Sequence, residues 1–153
     1  MTEPETLFER VVAALRAVGL DPDVNADLEN VTFETDGRTT VGVVMTHYDA
    51  VVFYSVWPEQ VPEQYLVPTA EFVVRANTDL YTAALELDLD KQIISVRSGV
   101  ACGPLAGVDE AGFGQILAAA LDESRQVAAA HHSALASIMI GGDALNALAL
   151  RQR

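Results

Sequence analysis

The apolar residues of this chain change their period once, and that change limits the fold more than any other feature. Leu7, Phe8, Val11, Val12, Leu15 and Val18 recur at helical spacing up to Gly19. After Asp21-Pro22-Asp23 the period drops to two. Residues 28–35 (LENVTFET), 38–46 (RTTVGVVMT) and 50–57 (AVVFYSVW) then read as three strands, the first two joined by the turn pair Asp36-Gly37. Short connections between alternating strands predict an antiparallel meander with one face buried. The leading helix is expected to start at a capping box, Thr2-Glu3-Pro4-Glu5, with proline in its first turn.

The proline-rich stretch PEQVPEQYLVP ends the meander as an exposed loop, and Pro68 opens a second helix, PTAEFVVRANTDL, with Phe72, Val73 and Ala76 on one side. ALELDLDKQIISVRSG then predicts a hairpin. Its first strand alternates, with Leu85, Leu87 and Leu89 inward and Glu86, Asp88 and Asp90 outward. A carboxylate triplet at that spacing can hold a cation, but without a glycine-containing calcium loop a solvated strand face is the better reading. Asp109 and Glu110 begin a third helix that runs to about Ile140, where Gly141-Gly142 stops it. At ~1.5 Å per residue it is roughly 45 Å long, enough to overhang the sheet or meet another subunit. Asp143 caps a short last helix, ALNALAL. The order α-β-β-β-α-β-β-α describes one α+β domain over residues 1–153, with an antiparallel sheet, a meander plus a hairpin, and helices on one side. Its core spans about residues 5–140, and 143–150 form a helical extension.

Composition narrows the function. With 22 acidic residues against 9 basic ones the formal net charge is −13, and more than half of the acids lie between Glu3 and Glu63. Such a field repels phosphate backbones and anionic lipid, so direct nucleic-acid or membrane binding is disfavoured, while a basic partner is attracted. Solubility alone is the simpler reading of the same charge. A single cysteine, Cys102, and no stretch resembling a signal peptide or an 18-residue apolar span place the chain in a reducing cytoplasm. Cys102 sits in GVACGPLAG with no neighbouring base or cation to activate it, and reads as structural.

Residues 127–135, VAAAHHSAL, hold two of the three histidines. Stepping 100° per residue from Phe113, the positions Leu117, Ala120, Ser124, Ala128, His131, Leu135 and Ile138 fall on one stripe, which packs His131 and turns His132 away. Adjacent helical residues do not converge on one metal ion, and no acid, cysteine or further histidine follows at a spacing of three or four; no metal and no cofactor is expected. No charged residue occurs from Gln126 to Gly142. The opposite side carries Ala129, Ala130, Ser133, Ala136 and Ser137, small residues that let a second surface approach, most simply in a homodimer. An alanine-rich solvated helix is the alternative. Phosphate-cradling loops, nucleophile elbows, zinc-protease helices and paired cysteine clusters are all missing, and GVDEAGFG puts acids where a phosphate would sit.

The stretch VPTAEFVVRANTDLYTAALELDLDKQIISVRSGV resembles the central segment of the YbjN family: a helix ending near Asn77, then Leu80, then a hairpin with an outward-acidic first strand leading to Arg97. The likeness covers roughly residues 5–140. It implies the type III secretion chaperone-like fold, whose members include small acidic dimers that hold an effector protein, and it supplies no catalytic residue. The long uncharged helix end and ALNALAL depart from the family pattern. The expectation is a non-enzymatic, chaperone-like adaptor or regulator. Val52, Tyr54 and Val56 on the sheet would hold a client protein, and an acidic rim would steer a basic or nucleic-acid-binding one. A regulatory domain sensing a small ligand in a pocket between helix and sheet, near Trp57 and Tyr81, is the alternative. An enzyme using Cys102 or His131 is a third reading.

Overall fold

A computed structural model describes residues 5–152. Helix α1 (Leu7–Ala17) precedes strands β1 (Asp23–Asn25), β2 (Asn30–Thr35), β3 (Arg38–Met45) and β4 (Ala50–Val56). Helix α2 (Leu66–Asn77), the hairpin β5 (Ala83–Asp88) and β6 (Ile93–Ala101), the long helix α3 (Glu110–Ile138) and the short helix α4 (Ala144–Leu148) follow. All six strands form one antiparallel sheet in the order β1-β2-β3-β4-β6-β5. This is the expected α+β architecture with one strand, β1, added at an edge. The hairpin docks by its second strand, so β6 lies against β4 and β5 becomes the other edge.

Local chemistry sets the element ends. The cap expected at Thr2 lies outside the described residues. The capping box in the structure is one turn later, where Thr6 Oγ1 accepts from Glu9 N at 3.2 Å and Thr6 N donates to Glu9 Oε2 at 2.8 Å. Asp36 and Gly37 both take positive φ, 51° and 72°, as a two-residue hairpin turn with the right twist requires. Helix α2 starts at Leu66, two residues before the expected Pro68, which sits in the first turn where its missing N–H has no helical acceptor. Leu89 is not inward but 60% exposed, because β5 stops at Asp88. The Asp88 carboxylate accepts from the N–H groups of Asp90 and Lys91 and turns the chain away.

All helices lie on one face of the sheet, over Val31, Phe33, Val51, Phe53, Ile94 and Val96. The eight residues of the α3 stripe, Phe113 to Ile138, are all buried. The helix therefore does not overhang: α1 covers its first half, and α2 and α4 its second. Gly114 lets α1 cross closely. A Cβ there would fall 2.8 Å from Val18 Cγ1 and 3.0 Å from the carbonyl carbon of Ala14, and closer still to Ala14 O. The loop before α2 is not wholly exposed either, since Val61 is buried and its N–H donates to Gln92 O at 2.8 Å.

The core has two apolar parts. One joins α1, β2–β4 and the first half of α3; the other joins α2, β5, β6, α4 and the second half of α3. Between them runs a buried chain of hydroxyls. Ser124 Oγ donates to Leu121 O at 2.8 Å, so Ser55 donates to Ser124 at 3.2 Å and Thr40 to Ser55 at 2.9 Å. Every proton in that chain points toward the helix.

Candidate protein-binding face

Strand alternation puts Val51, Phe53 and Ser55 under the helices and turns Val52, Tyr54 and Val56 to the opposite face, where they are half-buried by one another and by neighbouring strands. Register extends the patch. Tyr54 lies opposite Val41 on β3 and Arg97 on β6, and Val52 opposite Val43 and Gly99. Among the described residues no helix packs on this face. The sequence reading found Val52, Tyr54 and Val56 but not Val41 and Val43, although the alternation of RTTVGVVMT carries the same signal.

Carboxylates border the patch. Glu34 and Asp23 share the face on the β2–β1 side, and Glu86 and Asp88 on the β5 side. Arg97 is the one basic residue that the strands present here, and it pairs with Glu86 at 3.3 Å. Beside it, a groove of about 280 Å³ is lined by Val52, Tyr81, Thr82, Ala84, Arg97 and Gly99. Gly99 supplies the space, since a Cβ there would make only ordinary contacts of 3.8 Å with Val51 O and Val52 Cγ2. Tyr81, at 93% exposure, stands at the rim.

The β5 edge is closed at its middle. Leu85 N donates to Asn77 Oδ1 at 2.8 Å, and Asn77 Nδ2 donates to Leu85 O at 3.0 Å. One side-chain amide thus takes the place of a neighbouring strand at this edge.

The remaining sequence candidates are dispersed. Ala129 and Ser133 are exposed, whereas Ala130, Ala136 and Ser137 are half-buried. The chain's own tail returns to this side of α3, where Gln152 N donates to Ala130 O at 3.0 Å and Gly142 N to Ser137 O at 2.9 Å. Trp57 and Tyr81 do not share a pocket. Trp57 lies on the helix side, its ring 4.6 Å from that of His132, where the cavity is about 10 Å³ and has no room for a ligand. The expected pocket is closed because α3 packs directly onto β4 at this point.

The histidines do not converge. His131, 4% exposed, places Nδ1 2.7 Å from Val127 O and meets the Phe72 ring edge-on. Burial lowers its pKa, the hydrogen bond to Val127 opposes that shift, and the charge of Arg151 adds to it. His132 Nδ1 accepts from Arg38 Nη2 at 3.2 Å. Cys102 is buried, and desolvation, with the Asp49 charge second, pushes its thiol pKa up, away from nucleophilic use. Among the described residues no three His, Cys, Asp or Glu side chains are grouped to hold a metal ion, and no helix is long and apolar enough to cross a membrane.

No protein-family model and no curated protein matches the chain. Solved structures do. YbjN, a candidate transcription regulator from E. coli, superposes with a TM-score of 0.58 at 16% identity, over 78% of this chain and 88% of that one. A chain of the ExsC–ExsE complex gives 0.52 at 14% identity, over 80% and 93%. The Yersinia pestis type III secretion chaperone SycH, solved with a fragment of YscM2, gives 0.46 at 12% identity, over 79% and 98%. At these identities the likeness is one of fold, and the chain shares the α+β fold of YbjN and of the ExsC–ExsE chain.

Proposed function

We propose that this chain is a non-enzymatic, cytoplasmic adaptor of chaperone-like action, which holds a segment of a client protein on its open sheet face. The observation that carries the reading is the apolar patch of Val41, Val43, Val52, Tyr54 and Val56, which no element among the described residues covers and which opens into the Gly99 groove. Its carboxylate border and the net charge of −13 favour a basic client, and a nucleic-acid-binding protein fits that chemistry. A fold neighbour solved within the ExsC–ExsE complex supports use of this fold in protein binding. The chain works as a homodimer, approached through the small residues Ala129 and Ser133 on α3. Light scattering at micromolar concentration tests this, and a strict monomer removes the dimer.

The client reading is tested by capture from lysate on immobilised protein through a salt ladder, with Tyr54→Ala and Gly99→Val run beside the parent chain. Both substitutions leave the charge unchanged, so they separate apolar contact from steering. A basic protein is expected to bind at low salt, to leave as salt shortens the Debye length below ~10 Å, and to be lost with either variant. Equal capture by folded variants and parent would show that the face is not the site.

A further inference from the structure

Between the β2–β3 turn and α3 lies a second cavity, of about 320 Å³, lined among others by Thr35, Asp36, Arg38, Arg125, Gln126 and Ala129, the last of which also lies on the proposed dimer approach. Two of the chain's few cations line it against one carboxylate, in a protein whose acids outnumber its basic residues 22 to 9. Neither arginine has a close carboxylate partner among the described residues. Arg38 makes no ion pair among the described residues; its guanidinium donates to His132 Nδ1 at 3.2 Å, and His132 is backed by the Trp57 ring. Arg125 lies over the Phe33 ring at 5.4 Å and comes only within 3.9 Å of Asp122. Its Nε is buried among protein atoms, and its guanidinium makes no hydrogen bond among the described residues, so the Nη groups are the donors it can offer to the cavity.

A partly buried guanidinium with idle donors costs free energy that a bound acceptor returns. Arginine forks match planar or tetrahedral oxyanions, and Gln126 and Thr35 add neutral donors beside them. The cavity volume falls at the lower end of small-molecule sites, and the surrounding acidic field disfavours a polyanion. We infer that this cavity binds a small organic oxyanion, a carboxylate- or phosphate-bearing metabolite, clamped between Arg38 and Arg125. The Trp57–His132–Arg38 stack positions one arm of the clamp, and the Phe33 ring positions the other. The site lies on the helix side of the sheet and does not depend on client binding at the opposite face.

The test is a ¹H–¹⁵N titration that follows the arginine Nε–H and backbone amide signals, with inorganic phosphate in one series and succinate in the other, at constant ionic strength set with chloride. A saturable shift of Arg125 Nε–H and of the amides of Thr35 to Thr40 is expected, and the stronger series identifies the ligand class. Arg38→Gln is expected to weaken binding roughly tenfold or more, the worth of a charge-assisted hydrogen bond. Its side chain makes a single hydrogen bond, to the exposed His132, and no ion pair among the described residues, so this variant is expected to keep its fold and carries the test even if Arg125→Gln does not fold. No saturable shift with either anion, shifts scattered over the surface, or unchanged affinity in Arg38→Gln would overturn the assignment.

Discussion

Gly114→Ala sets two effects of opposite sign against each other. In a helix interior the change gains about 1 kcal/mol of propensity. Against it, the new Cβ would press on the Ala14 carbonyl, a backbone group that cannot rotate aside, and would stand 2.8 Å from Val18 Cγ1. Relief requires α1 to move off α3 as a body, by roughly 1 Å, which forfeits a quarter to a half of the dispersion contact. Phe8, Val11, Val12 and Leu15 on α1 would bear that loss. Overpacking of this kind costs typically 1–3 kcal/mol, and a backbone obstacle belongs at the upper end. After the propensity gain the net loss is about 2 kcal/mol, and for a domain of this size about 4–8 °C in Tm. Thermal melts followed by circular dichroism read it directly, with Gly107→Ala as control, because nothing stands within 4 Å of a Cβ at that position. A Gly114→Ala protein that melts at or above the parent temperature would refute the close α1–α3 crossing.

Asn77→Ala should remove both bonds to the Leu85 backbone, at roughly 1–3 kcal/mol, and open the β5 edge to self-pairing; an unchanged melting temperature together with unchanged light scattering would sink this. His131 is kept neutral by burial, so as pH falls through its ordinary value of 6.5 the unfolded chain takes up a proton before the folded one does. That contribution to stability is present above 6.5 and declines below it, so the drop in Tm from about pH 7.5 to about 5.5 should shrink in His131→Gln; an identical drop would show that His131 does not titrate on unfolding. Native Cys102 should resist a thiol reagent that modifies it at once in denaturant, because its sulfur is buried and its pKa raised; prompt native modification would contradict that burial.

What could be read in advance follows from which interactions leave a mark on side-chain pattern. The α3 stripe was legible because a helix buried along one line must repeat its apolar residues every three or four positions, as Phe113 to Ile138 do. The meander and the outward turn of Val52, Tyr54 and Val56 were legible for the same reason at period two. Strand β1 was not: Asp23–Asn25 is exposed throughout and held by backbone pairing, which is blind to residue type. The edge position of β5 depends on how the hairpin docks, which no local period encodes. Asn77 looks in sequence like any polar residue at a helix end, and the convergence of Arg38 and Arg125 brings together residues far apart in the chain. Tyr81 failed as a partner for Trp57 because only the fold decides which side of a sheet a loop reaches.

The hydroxyl chain from Thr40 through Ser55 to Ser124 divides the molecule mechanically. Apolar contact is what makes neighbouring segments unfold together, and along this line it is replaced by hydrogen bonds that gain little net free energy. The protein should therefore behave as two cooperative units that share one helix. Amides of α3 before Ser124 would open with α1, and those after it with α2 and α4, at different free energies within an unbroken span of 29 residues. A loosening of the C-terminal unit would then reshape the Gly99 groove, which β6 carries, while Val41, Val43, Val52, Tyr54 and Val56 on the meander keep their places.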